Sequence, residues 1–223
     1  MAFYDLNGSY LNINQFIQYY EQYYFLGTPN VGRRITNRNK TNHFIEKKIQ
    51  NILQRGIAIN DIVFIIAWKI GAIDHGLSNN RVVYKYNFNN TLQFKTRFNV
   101  IDVKLIVNYI INNFVTLINI NNPHTLFQNL FNNRGLNSNF GLVYCISLIY
   151  FFTQGQYPIY DKYVHIAINA FLNNVPPNNQ IGYQQINQWK DYINFINQLT
   201  RIFGNQNIGR KIDRALWVYG HCF

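Results

Sequence analysis

Acidic residues are scarce in this sequence of 223 residues, where nine Asp and Glu stand against 20 Lys and Arg. The difference, 20 − 9, gives a formal charge of +11 with histidine neutral. Cysteine is scarcer still: Cys145 and Cys222 are the two in the chain, too few for a disulfide framework or a thiol-based metal site. A reducing, cytoplasmic environment is therefore expected.

Long apolar runs are also missing. The longest, residues 62–68 and 142–152, are much shorter than the roughly 20 residues that a membrane-spanning helix needs. The first ten residues contain no basic segment followed by an apolar stretch, so no signal peptide is expected. The sequence predicts a protein without a membrane partner.

Apolar residues instead recur at helical spacing along most of the chain. The clearest pattern runs from Val103 to Leu117 behind Asp102, the expected N-cap. Residues 82–98 are compatible with either a short β-hairpin or a loop. The spacing predicts further helices at 14–25, 41–53, 61–70, 125–131, 140–152, 162–172, 184–203 and 207–219. The predicted fold class is therefore mainly α.

No internal repeat or long linker divides the sequence. We expect a single helical unit, 1–223, which could contain two lobes. The first, 1–99, would be basic and rich in aromatic residues, and the second, 100–223, would be helical. A cleft between two such lobes is where ligands usually bind.

Basic residues cluster in one short segment. Arg33, Arg34 and Arg38 lie there with three lysines, opposed only by Glu46. Such a surface attracts polyanions, so DNA or RNA is the expected partner. The alternative is a generally basic protein whose cations are simply solvated.

The few carboxylates mostly have local structural explanations. Asp61 and Asp102 precede helical patterns as caps, whereas Glu21 and Glu46 fall on predicted polar faces. Asp161 differs because it follows the Pro-bent segment 157–160 and opens the next helix. Two interpretations stay open for it: a helix N-cap and a functional carboxylate.

The sequence lacks the residue patterns that several common types of enzyme require. The five histidines show no paired metal-ligand spacing, so no metal is expected. There is no Gly-x-Ser-x-Gly elbow, and the two Lys-Thr pairs lack the preceding glycine of a phosphate loop. Cys145 lies in an apolar run and is interpreted as core packing. No cofactor is expected.

Two segments resemble a known family. Residues 140–152 followed by 157–164 resemble the helix, turn and Pro-x-x-Asp-x-x-Val signature of helix-hairpin-helix DNA glycosylases. Residues 210–220 resemble the ending of bacterial relatives of the oxidised-guanine (8-oxoguanine) DNA glycosylases. The resemblance implies a two-lobed helix-hairpin-helix glycosylase fold and makes Asp161 the catalytic carboxylate.

The sequence departs from this family at the hairpin. Residues 133–141 occupy its place without the full glycine pattern, and no lysine lies between 132 and 160, where bifunctional members carry their nucleophile. The resemblance therefore implies that Asp161 assists water in excising a damaged base, such as an oxidised purine, without lyase activity. The alternative is a non-catalytic DNA- or RNA-binding protein on the same fold. A helical protein-binding module without nucleic acid is a third interpretation.

The resemblance also indicates where DNA would bind. Duplex DNA with a flipped base is the expected partner. Its phosphates would contact Arg134 and backbone N–H groups from Gly135 to Gly141. The flipped base would need aromatic walls. The candidates, each of which could equally be a core residue, are Phe152, Tyr157, Tyr160, Trp189 and Trp217.

Overall fold

The computed structural model describes residues 2–26, 39–71, 73, 100–134, 141–175, 186, 188–204 and 209–222. These residues are mainly helical, which confirms the predicted class. The described helices are α1 (Ile13–Leu26), α2 (Asn39–Arg55), α3 (Ile62–Lys69), α4 (Val100–Asn112), α5 (Phe114–Ile118), α6 (Pro123–Asn132), α7 (Leu142–Phe152), α8 (Lys162–Asn173), α9 (Trp189–Phe203) and α10 (Arg210–Cys222). No helix among them has the length and apolarity that a membrane span requires.

A small antiparallel hairpin precedes the helices. Its strands, β1 (Phe3–Tyr4) and β2 (Tyr10–Leu11), pair Phe3 with Leu11. The carboxylate of Asp5 holds the turn because its Oδ1 accepts hydrogen bonds from the backbone N–H groups of Asn7 and Ser9. The sequence analysis did not predict this hairpin, and the one it allowed at 82–98 lies outside the described residues.

The predicted helix at 103–117 is two helices. α4 begins at Val100, so Asp102 lies inside it and its assignment as an N-cap was wrong. Asn113 leaves helical geometry at φ −113° and ψ 15°, and its side-chain amide donates to the carbonyl of Tyr109 at 2.8 Å. Asparagine competes in this way with backbone pairing, which explains the break between α4 and α5.

Contacts group the chain into two compact units. The discontinuous unit comprises residues 1–43 and 158–223, and the continuous unit comprises residues 44–157. The lobe boundary expected near residue 99 lies outside the described residues.

Aromatic rings form the core of the discontinuous unit. Phe16 of α1 has no exposed surface. Four aromatic rings have centroids 4.9–5.3 Å from the centroid of the Phe16 ring. Those rings belong to Phe3, Tyr20, Phe171 and Tyr219. Most of them meet Phe16 tilted or edge-on, the arrangement that the ring quadrupole favours. The abundant aromatic residues of the sequence therefore join β1, α1, α8 and α10 in one core.

Helices α8 and α10 approach closely at Gly220. A Cβ atom placed on Gly220 would lie 2.1 Å from the carbonyl oxygen of Tyr163, a distance that real side chains do not tolerate. Glycine at this position therefore allows the C-terminal part of α10 to pack against the first turn of α8.

The continuous unit is built around α7, which contacts α3 and α6. Cys145 on α7 is fully buried, and burial raises the pKa of its thiol to about 12, which confirms the prediction of core packing. Glu46 is only 3% exposed, so its placement on a polar face was wrong. Asp61 does stand at the N-cap of α3, but its carboxylate accepts from Arg55 and from the N–H of Ala58.

Candidate functional site

Asp161 is the N-cap of α8. Its backbone is extended, at φ −139° and ψ 149°, and its Oδ1 accepts a hydrogen bond from the N–H of Tyr163 at 2.9 Å. The side chain is half-buried. The N-cap interpretation is therefore confirmed, and the catalytic role of Asp161 stays a prediction.

The segment before Asp161 is held by buried contacts. The hydroxyl of Tyr192 on α9 donates to the carbonyl of Pro158 at 2.6 Å. The hydroxyl of Tyr160 lies 2.6 Å from Nδ1 of His165, and the Tyr160 ring meets Phe195 edge-on at 5.0 Å. Burial also lowers the pKa of His165. These contacts fix the position from which the Asp161 side chain projects.

Tyr160 itself is a core residue, with no exposed surface. A ring buried in this way has no face available to a nucleobase. Of the other aromatic candidates in the discontinuous unit, Trp189 is half-buried beside Tyr192, with centroids 5.2 Å apart, and Trp217 is also half-buried.

Trp217 belongs to a cluster of half-buried rings that includes Tyr163, two residues after Asp161. His221, one turn further along α10, stacks on Tyr163 with centroids 3.3 Å apart, and Trp217 lies 3.9 Å from His221. Tyr24 of α1 meets Trp217 edge-on at 5.7 Å. We call Tyr24, Tyr163, Trp217 and His221 the aromatic face. Tyr163 links it to Asp161, because the same residue donates the N-cap hydrogen bond.

Arginine side chains flank the aromatic face, each paired with an acid. Arg214, only 4% exposed, forms an ion pair with Glu21, and its guanidinium lies 6.0 Å from the Tyr24 ring centroid. Arg210 pairs with Asp213 and lies 5.8 Å from the same ring. Both guanidinium groups thus lie within cation–π distance of the Tyr24 ring.

Two exposed lysines lie on the helices that carry the aromatic face. Lys162 is the first residue of α8, and its Nζ lies 5.9 Å from the Tyr163 ring centroid. Lys211 is exposed on α10.

The other predicted DNA contacts fall in the continuous unit or outside the described residues. Arg134 donates to the carbonyl of Phe131, and its guanidinium lies 3.4 Å from that ring's centroid, so it is held at the end of α6. Gly141 is the N-cap of α7. Four of the predicted residues lie outside the described part of the chain: Arg33, Arg34, Arg38 and Gly135.

The last two aromatic candidates, Phe152 and Tyr157, are half-buried in the continuous unit. The Phe152 ring packs near that of Phe114, with centroids 6.1 Å apart. The candidates thus divide between the units, and Asp161, Tyr160, Trp189 and Trp217 share the discontinuous one.

Sequence reasoning missed three members of the aromatic face: Tyr24, Tyr163 and His221. The four-residue spacing from Trp217 to His221 was a usable signal for the α10 pair. In the described part of the chain, no group of three or more His, Cys, Asp or Glu side chains could hold a metal ion. No family model matches the chain, and neither curated proteins nor solved structures yield a significant match.

Proposed function

We propose that this protein binds DNA and excises a damaged base, with Asp161 as the catalytic carboxylate. The observation that carries the proposal is the position of that carboxylate: it is half-buried, it accepts a backbone hydrogen bond from Tyr163, and it lies two residues along the chain from a member of the aromatic face. The formal charge of +11 and the resemblance to helix-hairpin-helix glycosylases support the same function.

Asp161 has the chemistry that base excision requires. As an N-glycosidic bond breaks, positive charge develops on the sugar, and a fixed carboxylate stabilises that charge and orients the attacking water. The bond from the Tyr163 N–H holds Oδ1 in one direction, so little reorientation is needed during the reaction. Because no lysine lies between 132 and 160, the product is an intact strand with an abasic site.

The aromatic face supplies a place for the base. A base that leaves the duplex loses its stacked neighbours, and protein rings replace them at about 1–3 kcal/mol per stacked base. Trp217 and Tyr163 are half-buried, whereas Tyr160 has no exposed surface. Lys162 and Lys211 would contact the adjoining phosphates.

The decisive experiment is Asp161→Asn. Asparagine retains an Oδ1 acceptor for the Tyr163 N–H but lacks the negative charge. We expect single-turnover excision from duplexes carrying different lesions to fall by orders of magnitude, while the circular dichroism spectrum and DNA affinity persist. Strand breaks should require alkali, and borohydride should trap little protein on DNA.

Asp191→Asn is the matched control, because Asp191 also accepts a backbone hydrogen bond at a helix start, from the Gln188 N–H at 3.0 Å. It should leave excision unchanged. Full excision by the Asp161→Asn protein would contradict the proposal. Loss of the fold together with activity would assign Asp161 a capping role alone.

A second function, DNA or RNA binding without catalysis, is favoured by one observation: capping α8 is by itself a sufficient role for Asp161. In that case no lesion is excised, but affinity still falls steeply with salt. Replacing Arg33, Arg34 and Arg38 with Glu should then weaken binding to every sequence and flatten the salt dependence. Absence of any oligonucleotide binding would contradict both functions.

A further inference from the structure

A small cavity lies away from the aromatic face, in the discontinuous unit. Its volume is about 230 Å³, and its walls come from the β1 end of the hairpin, the end of α8 and Tyr219 of α10. Pockets for drug-sized ligands usually measure about 300–1,000 Å³. This cavity therefore suits a smaller molecule or a single side chain.

Asp5 places a carboxylate in the wall of this cavity. Its Oδ1 accepts from Asn7 and Ser9, at 2.9 and 2.7 Å, and no residue of the described chain bonds to Oδ2 or pairs with this acid. By contrast, Glu21 and Asp213 are both paired with arginines. Asp5 therefore has a carboxylate oxygen to which a ligand in this cavity could donate a hydrogen bond.

The remaining walls also favour a cation. The C-terminal end of α8 reaches the cavity at Asn174, and a helix C-terminus carries partial negative charge. Tyr4 is 42% exposed and offers a ring to a cation. Val175, 43% exposed, adds an apolar surface. A bare metal ion would need several protein ligands, and no group of three or more His, Cys, Asp or Glu side chains that could hold one occurs among the described residues.

We propose that this cavity binds an alkylammonium group. The ammonium would donate to Oδ2 of Asp5, and the methylene chain would lie against Tyr4 and Val175. The group could belong to a free aliphatic amine or to a lysine side chain of a partner protein. This site is independent of base excision and of DNA binding.

Calorimetric titration of the full chain with butane-1,4-diamine tests the proposal. We expect saturable binding of the diamine and none of butane-1,4-diol, which lacks the charge. Asp5→Asn keeps the Oδ1 acceptor for the turn and should weaken binding at least tenfold. Asp191→Asn, the same charge change elsewhere in the unit, should bind as the parent does.

A second ligand distinguishes the two sources. Nα-acetyl-lysine amide should bind more tightly than the diamine if the site serves a lysine side chain, and more weakly if it serves a free amine. Unsaturable diamine binding, or Asp5→Asn titrating like the parent, would overturn the proposal. Should Asp5→Asn fail to fold, Tyr4→Leu replaces it: severalfold weaker binding supports the site, and unchanged binding overturns it.

Discussion

The packing of α8 against α10 makes Gly220→Ala the most informative stability variant. The new Cβ would lie 2.1 Å from the Tyr163 carbonyl oxygen, whereas non-bonded contacts are optimal near roughly 3.5 Å. The helices would have to separate by about 1.4 Å to restore that distance. Overpacking of this kind costs about 1–3 kcal/mol, and a backbone neighbour places the cost at the upper end. The higher helix propensity of alanine offsets about 1 kcal/mol of this cost. We therefore expect the free energy of unfolding to fall by about 2 kcal/mol.

Urea unfolding followed by far-UV circular dichroism measures this difference directly. The control is Gly209→Ala, because a Cβ at Gly209 has no atom within 4 Å. That variant should stay within about 0.5 kcal/mol of the parent. A Gly220→Ala protein as stable as the parent would refute the close approach of α8 and α10.

Three further predictions concern single side chains. Glu21→Ala leaves the buried Arg214 without its acid and should lower the free energy of unfolding by about 3 kcal/mol in urea titrations; a loss below 1 kcal/mol would contradict the pairing. Asn122→Ala removes the acceptor for the N–H groups of His124 and Thr125 and should cost about 1 kcal/mol by the same measurement. Burial lowers the pKa of His165 below its usual 6.5, so the imidazole binds a proton more readily in the unfolded chain than in the folded one. The folded state therefore loses stability as the pH falls from 6.5 through the folded-state pKa. The melting temperature should therefore drop less between pH 7 and pH 5 in His165→Gln than in the parent, and an equal drop would contradict this.

Local features were predictable from the sequence. The N-cap position of Asp161 was one of the two interpretations that the sequence offered, because capping depends on neighbours two or three residues away. The break at Asn113 was missed because apolar residues continue at helical spacing on both sides of it. The hairpin at Phe3 was missed because two-residue strands are too short to show alternation.

Features that join distant segments were not predictable. Tyr24, Tyr163 and Trp217 meet only after three helices pack, and nothing in their sequence spacing indicates that contact. Glu46 was expected at the surface because its type is rarely buried. Its burial follows from tertiary packing of α2, which outweighs residue preference.

The discontinuous unit also constrains the order of events during protein synthesis. Phe16 packs against Tyr219, so about 200 residues must be added after Phe16 before its core partner exists. At roughly 5–20 residues per second this delay lasts about 10–40 s. During that interval Phe16 can already meet Phe3 and Tyr20, but its contact with Tyr219 cannot form, and all of residues 44–157 are made in the meantime. Completion of the core between α1 and α10 therefore waits until the whole continuous unit and most of α10 have been synthesised.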